Sequence, residues 1–259
     1  MKRLLTLAFA ASMAFATASV ATAEPLKIGM APEPYPPFEW KEADGTWKGF
    51  EIDFGKALCA KMGEECVIVE IAWDGIIPAL QAKKIDMILN SMTITEERQK
   101  IIDFSVPYYS TGASFIGPKG TTLEPTAESL QGKVIGVQAA TTHAAYVEEK
   151  FKDVAEIRTY PTQDEANADL IAGRLDTVVA DKVALDEFLK SADASGLAML
   201  ADVPAEDGGD KHVGIAIRKE DAALKAKVDA AITEIVKSGE YDQLAKPYFN
   251  FDIYGLPRQ

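Results

Sequence analysis

Residues 85–100, IDMILNSMTITEERQK, decide how this chain folds. A short apolar run, Ile85 to Leu89, stops abruptly at three small polar residues, Asn90, Ser91 and Thr93. Such a run, bounded by polar residues, reads as a strand buried in a sheet. Arg98 follows within TEERQK, a helical segment. Small hydroxyls and one guanidinium at the end of a strand suit something small and anionic. Each residue also has a plainer reading. Arg98 could make a surface ion pair within TEERQK, and Thr93 could cap ITEERQ.

Working outward, strands and helices alternate almost throughout. PLKIGM, CVIVEI, IDMIL, ASFIG, KVIGV, AEIRTY, DTVVA and HVGIAIRK read as strands. FEIDFGKALCAKMG (ending near Gly63), GIIPALQAKK, ESLQ, HAAYVEEKF, QDEANADLIAGR, DAALKAKVDAAITEIVKSG and YDQLAKPYF read as helices. That alternation predicts parallel sheet with helices packed on it. The strand–helix units form two runs, joined near PYYSTG and rejoined near AEDGGDKH, so two α/β lobes with a cleft between them are expected. Ligands in such sheets collect at strand C-termini. Three polar clusters lie at those ends: NSMT, QAATTH (residues 138–143) and Asp181 after DTVVA.

Composition narrows the function class. The 259 residues are 47% hydrophobic, enough for one large or two modest cores. Lys2 and Arg3, an apolar run and Ala21-Thr22-Ala23 read together as a secretory signal peptide over residues 1–23. Its removal takes away Lys2 and Arg3 and shifts the formal charge from −13 to −15. So acidic a chain argues against a nucleic-acid partner. The two cysteines, Cys59 and Cys66, read as a disulfide in an exported protein, worth roughly 2–3 kcal/mol for a short loop. Zinc is the rival reading, but two thiols without a nearby histidine leave its coordination half empty. Neither a metal nor a cofactor is expected.

The strings YPPFEW…GFEIDFGKALC and WDGIIPALQAKKIDMILNSMTITEERQKIIDFSVPYY resemble the periplasmic polar amino-acid binding proteins of ABC importers, solute-binding protein family 3. The likeness extends to GIAIRKED and YDQLAKPYFNFD, and is greatest to the lysine/arginine/ornithine and histidine binding branch. It implies the two-lobe, type II periplasmic binding protein fold, an α/β architecture with a mainly parallel sheet in each lobe and the ligand in the interlobe cleft. Lobe 1 would comprise residues 24–109 and 210–259, and lobe 2 residues 110–209. The implied partners are a small amino-acid ligand and an inner-membrane ABC permease. The implied state is a periplasmic monomer.

The resemblance also implies residue roles. Arg98 would grip the ligand α-carboxylate, as a planar guanidinium can. Asp181 would accept the α-ammonium, or else merely cap the helix KVALDEFL. Ser91 and Thr93 would bond the head group, with Asn90 where the family often has another serine. Thr141 and Thr142 open a helix whose free N–H groups suit a carboxylate. Gln138 and His143 hold positions that vary with ligand, although His143 taken alone reads as a solvated helix residue. Tyr35 and Trp73 would sandwich the ligand side chain.

One departure bears on the ligand. Basic-amino-acid binders carry an aspartate three residues before the tyrosine, and here Pro32 occupies that place in MAPEPYPPF. Glu33 is the nearby acid that could meet a distal cation. The expected function is therefore a non-catalytic receptor for arginine, ornithine, lysine or histidine. Glutamine, another neutral polar amino acid or an opine is the alternative. A cyclohexadienyl dehydratase on the same scaffold is a remote one, lacking any visible nucleophile or metal motif, and a soluble partner for a separate sensor is another.

Overall fold

A computed structural model describes residues 24–207 and 210–258; the leader read over residues 1–23 lies outside the described residues. The chain opens with β1 (Leu26–Met30), a hairpin of β2 (Trp40–Lys41) and β3 (Trp47–Lys48), α1 (Phe50–Met62) and β4 (Cys66–Glu70). There follow α2 (Ile76–Gln81), β5 (Met87–Ile88), α3 (Glu96–Ile101) and β6 (Asp103–Phe104). The middle of the chain holds β7 (Tyr109–Pro118), α4 (Ala127–Leu130), β8 (Val134–Gln138), α5 (Thr142–Phe151) and β9 (Glu156–Tyr160). It continues through α6 (Gln163–Ile171), β10 (Thr177–Asp181), α7 (Lys182–Phe188) and β11 (Leu197–Asp202). The last elements are β12 (Asp210–Val213), β13 (Ala216–Ile217), α8 (Ala222–Lys237) and α9 (Glu240–Ala245).

Two sheets result, ordered β4-β1-β5-β13-β6 and β11-β7-β10-β8-β9, with β12 also on β7. Strands linked through helices are parallel, as the alternation requires: β1 with β4 and β5, and β8 with β9 and β10. The strands that carry the chain between sheets run antiparallel to their neighbours, β13 in the first sheet and β7 in the second. This is the fold of the type II periplasmic binding proteins, a mixed α/β architecture with one sheet in each lobe. HVGIAIRK, which reads as one strand, is divided at Gly214 and Ile215 so that β12 joins one sheet and β13 the other.

Helix α1 shows how sequence dictates these elements. Gly49 precedes it at φ 123°, and a Cβ there would sit 2.1 Å from the carbonyl oxygen of Phe38, so only glycine fits. Asp53 places negative charge on the first turn, where the helix dipole favours it. Gly63 ends the helix in the left-handed conformation at φ 68°. Cys59 and Cys66 then form a disulfide that ties the end of α1 to β4. The buried face carries Phe50, Phe54 and Leu58 against Ile232 and Ile235 of α8, in a cluster with Phe38, Tyr108 and Tyr241. Each such side chain contributes roughly 1.5–3 kcal/mol on burial. The second sheet is covered on both faces, by Phe115, Val137 and Val147 on one and Ile116, Leu170 and Val178 on the other.

The two crossings lie side by side. The N–H of Tyr108 donates to the carbonyl of Val213 at 3.0 Å, and that of Ser105 to Ile215 at 2.9 Å. Between the sheets, at the ends of β1, β5, β8 and β10, a cleft is left.

Candidate functional site

Strand ends bring the cleft together. From the first sheet come Glu33 and Tyr35 after β1, Trp73 in the turn before α2, Asn90, Ser91 and Thr93 after β5, and Arg98 on α3. From the second come Gln138, Thr141, Thr142 and His143 at the end of β8 and the start of α5, and Asp181 at the end of β10. All of them line one cavity.

Arg98 is on the wall of this cavity, not in a surface ion pair. Its Nη1 donates to the Thr93 carbonyl at 2.8 Å, and its guanidinium lies 5.6 Å from the centre of the Trp73 ring, a cation–π distance. The neighbouring Lys100, instead, pairs with Glu97. Burial lowers the Arg98 pKa to about 10, still leaving it charged at neutral pH. The cap of α3 is Thr95, whose hydroxyl accepts from the Arg98 N–H at 3.1 Å. Thr93 is therefore free of the capping role that the sequence alone would equally give it.

Asp181 precedes α7 but its carboxylate makes no capping bond. It turns into the cleft instead, where Oδ2 accepts from the Tyr35 hydroxyl at 2.8 Å and Oδ1 lies 3.4 Å from Nε2 of His143. Burial, and then the Asp181 carboxylate, push the Tyr35 phenol well above its usual range, so it acts as a neutral donor. The residue-level reading of His143 as solvated needs correction: its side chain is 12% exposed and faces Asp181. The start of a helix at the cleft turns this side chain inward.

Other side chains are less free than the sequence suggests. Asn90 is wholly engaged within its own lobe: Oδ1 accepts from the Ala31 N–H at 2.6 Å and Nδ2 donates to Glu39 at 2.5 Å. Gln138 donates to the Pro161 carbonyl at 3.2 Å. The Thr141 hydroxyl donates to the Gln138 carbonyl and accepts from the Ala144 N–H at 3.0 Å, which caps α5. What Thr141 and Thr142 offer the cavity is the open N-terminus of that helix, with its unpaired N–H groups.

Two residues of the cavity wall each carry a buried polar atom without a hydrogen-bond partner. The Ser91 hydroxyl is buried and makes no hydrogen bond. Ser91 also holds φ 50°, a left-handed conformation that costs a non-glycine residue of order 1–3 kcal/mol. Glu33 Oε2 is likewise buried and unpartnered. Ala140, at φ 58°, turns its carbonyl across the cleft to accept from Arg98 Nη2 and Trp73 Nε1, both at 3.3 Å.

Sequence reasoning missed Glu39 and Gln163, which also line the cavity. Gln163 is the first residue of α6, just past its cap Thr162 and shortly after β9, the position that Thr142 holds in α5, so its signal was present. Glu39 sits in FEW beside aromatic residues and carried no such signal. No group of three or more His, Cys, Asp or Glu arranged to hold a metal occurs among the described residues.

Comparison with known proteins gives the family of the chain. The family model of bacterial extracellular solute-binding proteins, family 3, matches residues 26–251. The L-arginine-binding protein of Pseudomonas aeruginosa is 42% identical, over 98% of this chain and 99% of its own length. The lysine/arginine/ornithine-binding periplasmic protein of Escherichia coli is 37% identical, over 98% and 99%. Among solved structures, an ancestral arginine-binding protein bound to arginine superposes with a TM-score of 0.81 at 34% identity, covering 87% of this chain and 98% of that one.

Proposed function

We propose, from the premise that this chain belongs to the bacterial extracellular solute-binding proteins of family 3, that its cleft captures a basic L-amino acid in the periplasm for an ABC importer. Arg98 takes the α-carboxylate, with the Ser91 hydroxyl and the amides at the start of α5. Asp181 takes the α-ammonium. Tyr35 and Trp73 flank the side chain, and Glu33 meets its distal cation. Residues 24–109 with 210–259 act as one lobe and residues 110–209 as the other, closing about the paired crossings in the hinge motion usual for this architecture. The closed form delivers its ligand to an inner-membrane permease and performs no chemistry of its own.

The observation that carries the ligand class is the balance of charge in the cleft. Among the described lining residues, Arg98 is the permanent cation, opposed by the acids Glu33, Glu39 and Asp181. Burial, and then its neighbour Glu51, push the Glu39 carboxyl well above the usual range towards its neutral form. An amino-acid zwitterion satisfies Arg98 and Asp181 and leaves Glu33, with its unpartnered buried oxygen, uncompensated. Burying an unpaired charge is costly. A distal ammonium or guanidinium on the ligand removes that cost, whereas glutamine does not.

The test is a thermal-shift screen on protein stripped of ligand by unfolding and refolding. Arginine, ornithine, lysine, histidine and glutamine are each added at the same concentration. A ligand at a hundredfold excess over its Kd stabilises by about 2.7 kcal/mol. The largest shifts are expected with the basic amino acids. Shifts confined to neutral amino acids overturn the ligand class.

A further inference from the structure

Two buried carboxyl groups, Glu39 on the cavity wall and Glu51 behind it, bond to no cation among the described residues. Glu39 follows the loop that carries Tyr35 and is 1% exposed; Glu51, in the first turn of α1, is fully buried. Glu39 Oε1 accepts from the Asn90 amide at 2.5 Å. Glu51 Oε1 accepts from the Ser91 N–H at 2.7 Å and from the Tyr108 hydroxyl. The second oxygen of each, Glu39 Oε2 and Glu51 Oε2, is buried without a hydrogen-bond partner, and the Glu51 N–H donates to the Phe38 carbonyl at 2.9 Å, which sets the first turn of α1 against the residue before Glu39. Two adjacent buried carboxylates cannot both ionise cheaply. One proton between them supplies the donor that both oxygens lack.

We propose that Glu39 and Glu51 hold a single proton between them, and that this proton positions the Asn90–Ser91 corner so that Ser91 faces the ligand. The inference rests on the reading of Ser91 as a ligand group. Glu51 holds the N–H of Ser91 in its left-handed conformation, and Glu39 holds the side chain of Asn90, which in turn fixes Ala31. Loss of the shared proton puts a second negative charge in the same buried space.

The titratable groups that face the pair cannot neutralise that charge. They are Tyr35 from the loop after β1, Tyr108 and Tyr109 from the entry to β7, and Asp181 from the end of β10. The tyrosines are neutral, and Asp181 adds repulsion. Burial is the chief cause that raises both carboxyls. The folded protein thus keeps a proton that the unfolded chain releases near an ordinary glutamate pKa of about 4.3. The stabilisation from the pair is complete below that pH and is lost as pH rises through the raised folded value.

Infrared spectroscopy of ligand-stripped wild-type protein reads the proton directly. A protonated-carboxyl band should persist at about pH 6, where ordinary glutamates near pKa 4.3 are ionised. It should vanish in Glu39→Gln, or in Glu51→Gln if the first variant does not fold. L-arginine affinity should then fall by roughly tenfold as pH carries the wild-type pair through its titration, a change of about 1.4 kcal/mol. Glu39→Gln should remove that step. Absence of the band in the wild type, or the same pH profile in wild type and variant, overturns the proposal. If the wild type binds arginine at no pH, the ligand reading fails. The pair is then judged by the band and by the unfolding midpoint of free protein, whose fall with rising pH Glu39→Gln should abolish.

Discussion

Arg98 and Asp181 place a guanidinium and a carboxylate on the cleft wall, one from each sheet's side. A guanidinium shortly beyond one strand end and a carboxylate at another have few structural duties there, and both turn into the cleft. Asn90 was legible as a cavity residue but not in its duty, since its bonds run to Ala31 and Glu39, distant in sequence. Glu39 was illegible for the same reason: only the fold brings it to Glu51 and Asn90. At this scale the proposed ligand class turns on Glu33. Glu33→Gln should weaken arginine binding by roughly tenfold to a hundredfold, the loss of a charged hydrogen bond of about 1.5–3 kcal/mol, and leave glutamine binding nearly unchanged. Parallel calorimetric titrations check this, and equal losses for the two ligands would remove Glu33 from the distal role.

At the scale of elements, the helices were read closely and the antiparallel strands poorly. Helix α1 announces itself by its apolar spacing and by Gly63, which ends it in the left-handed conformation. Strand β7 begins at Tyr109, so PYYSTG, which reads as a connection, is strand from Tyr109 onward. Its partners β11 and β12 lie far along the chain, and no local pattern encodes such pairings. The hairpin of β2 and β3 is too short to show a period. Gly49 tests the account at this scale. Gly49→Ala should destabilise the protein by well over 1 kcal/mol, because the new methyl group would meet the Phe38 carbonyl and φ there is positive. A chemical denaturation midpoint equal to that of wild type would contradict the assignment of Gly49 as a close-approach position.

For the whole molecule, two crossings run beside one another, and polar contacts span the cleft from Tyr35 to Asp181 and from Trp73 and Arg98 to Ala140. The alternation of strands and helices predicts two sheets with strand ends facing one cleft. It cannot predict how far the lobes close, because closure depends on these few contacts between residues remote in sequence. Saturating arginine should lower the radius of gyration of ligand-stripped protein in small-angle scattering. An unchanged radius would separate binding from closure.

The central claim is that the cleft grips an amino-acid head group through Arg98, and agmatine, which is arginine without its carboxylate, isolates that grip. Calorimetric titration of both compounds into ligand-stripped protein should show L-arginine binding at least a hundredfold more tightly, a difference of about 2.7 kcal/mol. Arg98→Ala should bring the two together. Equal affinity of the wild-type protein for arginine and agmatine would contradict the clamp and leave Arg98 a structural residue of the cleft wall.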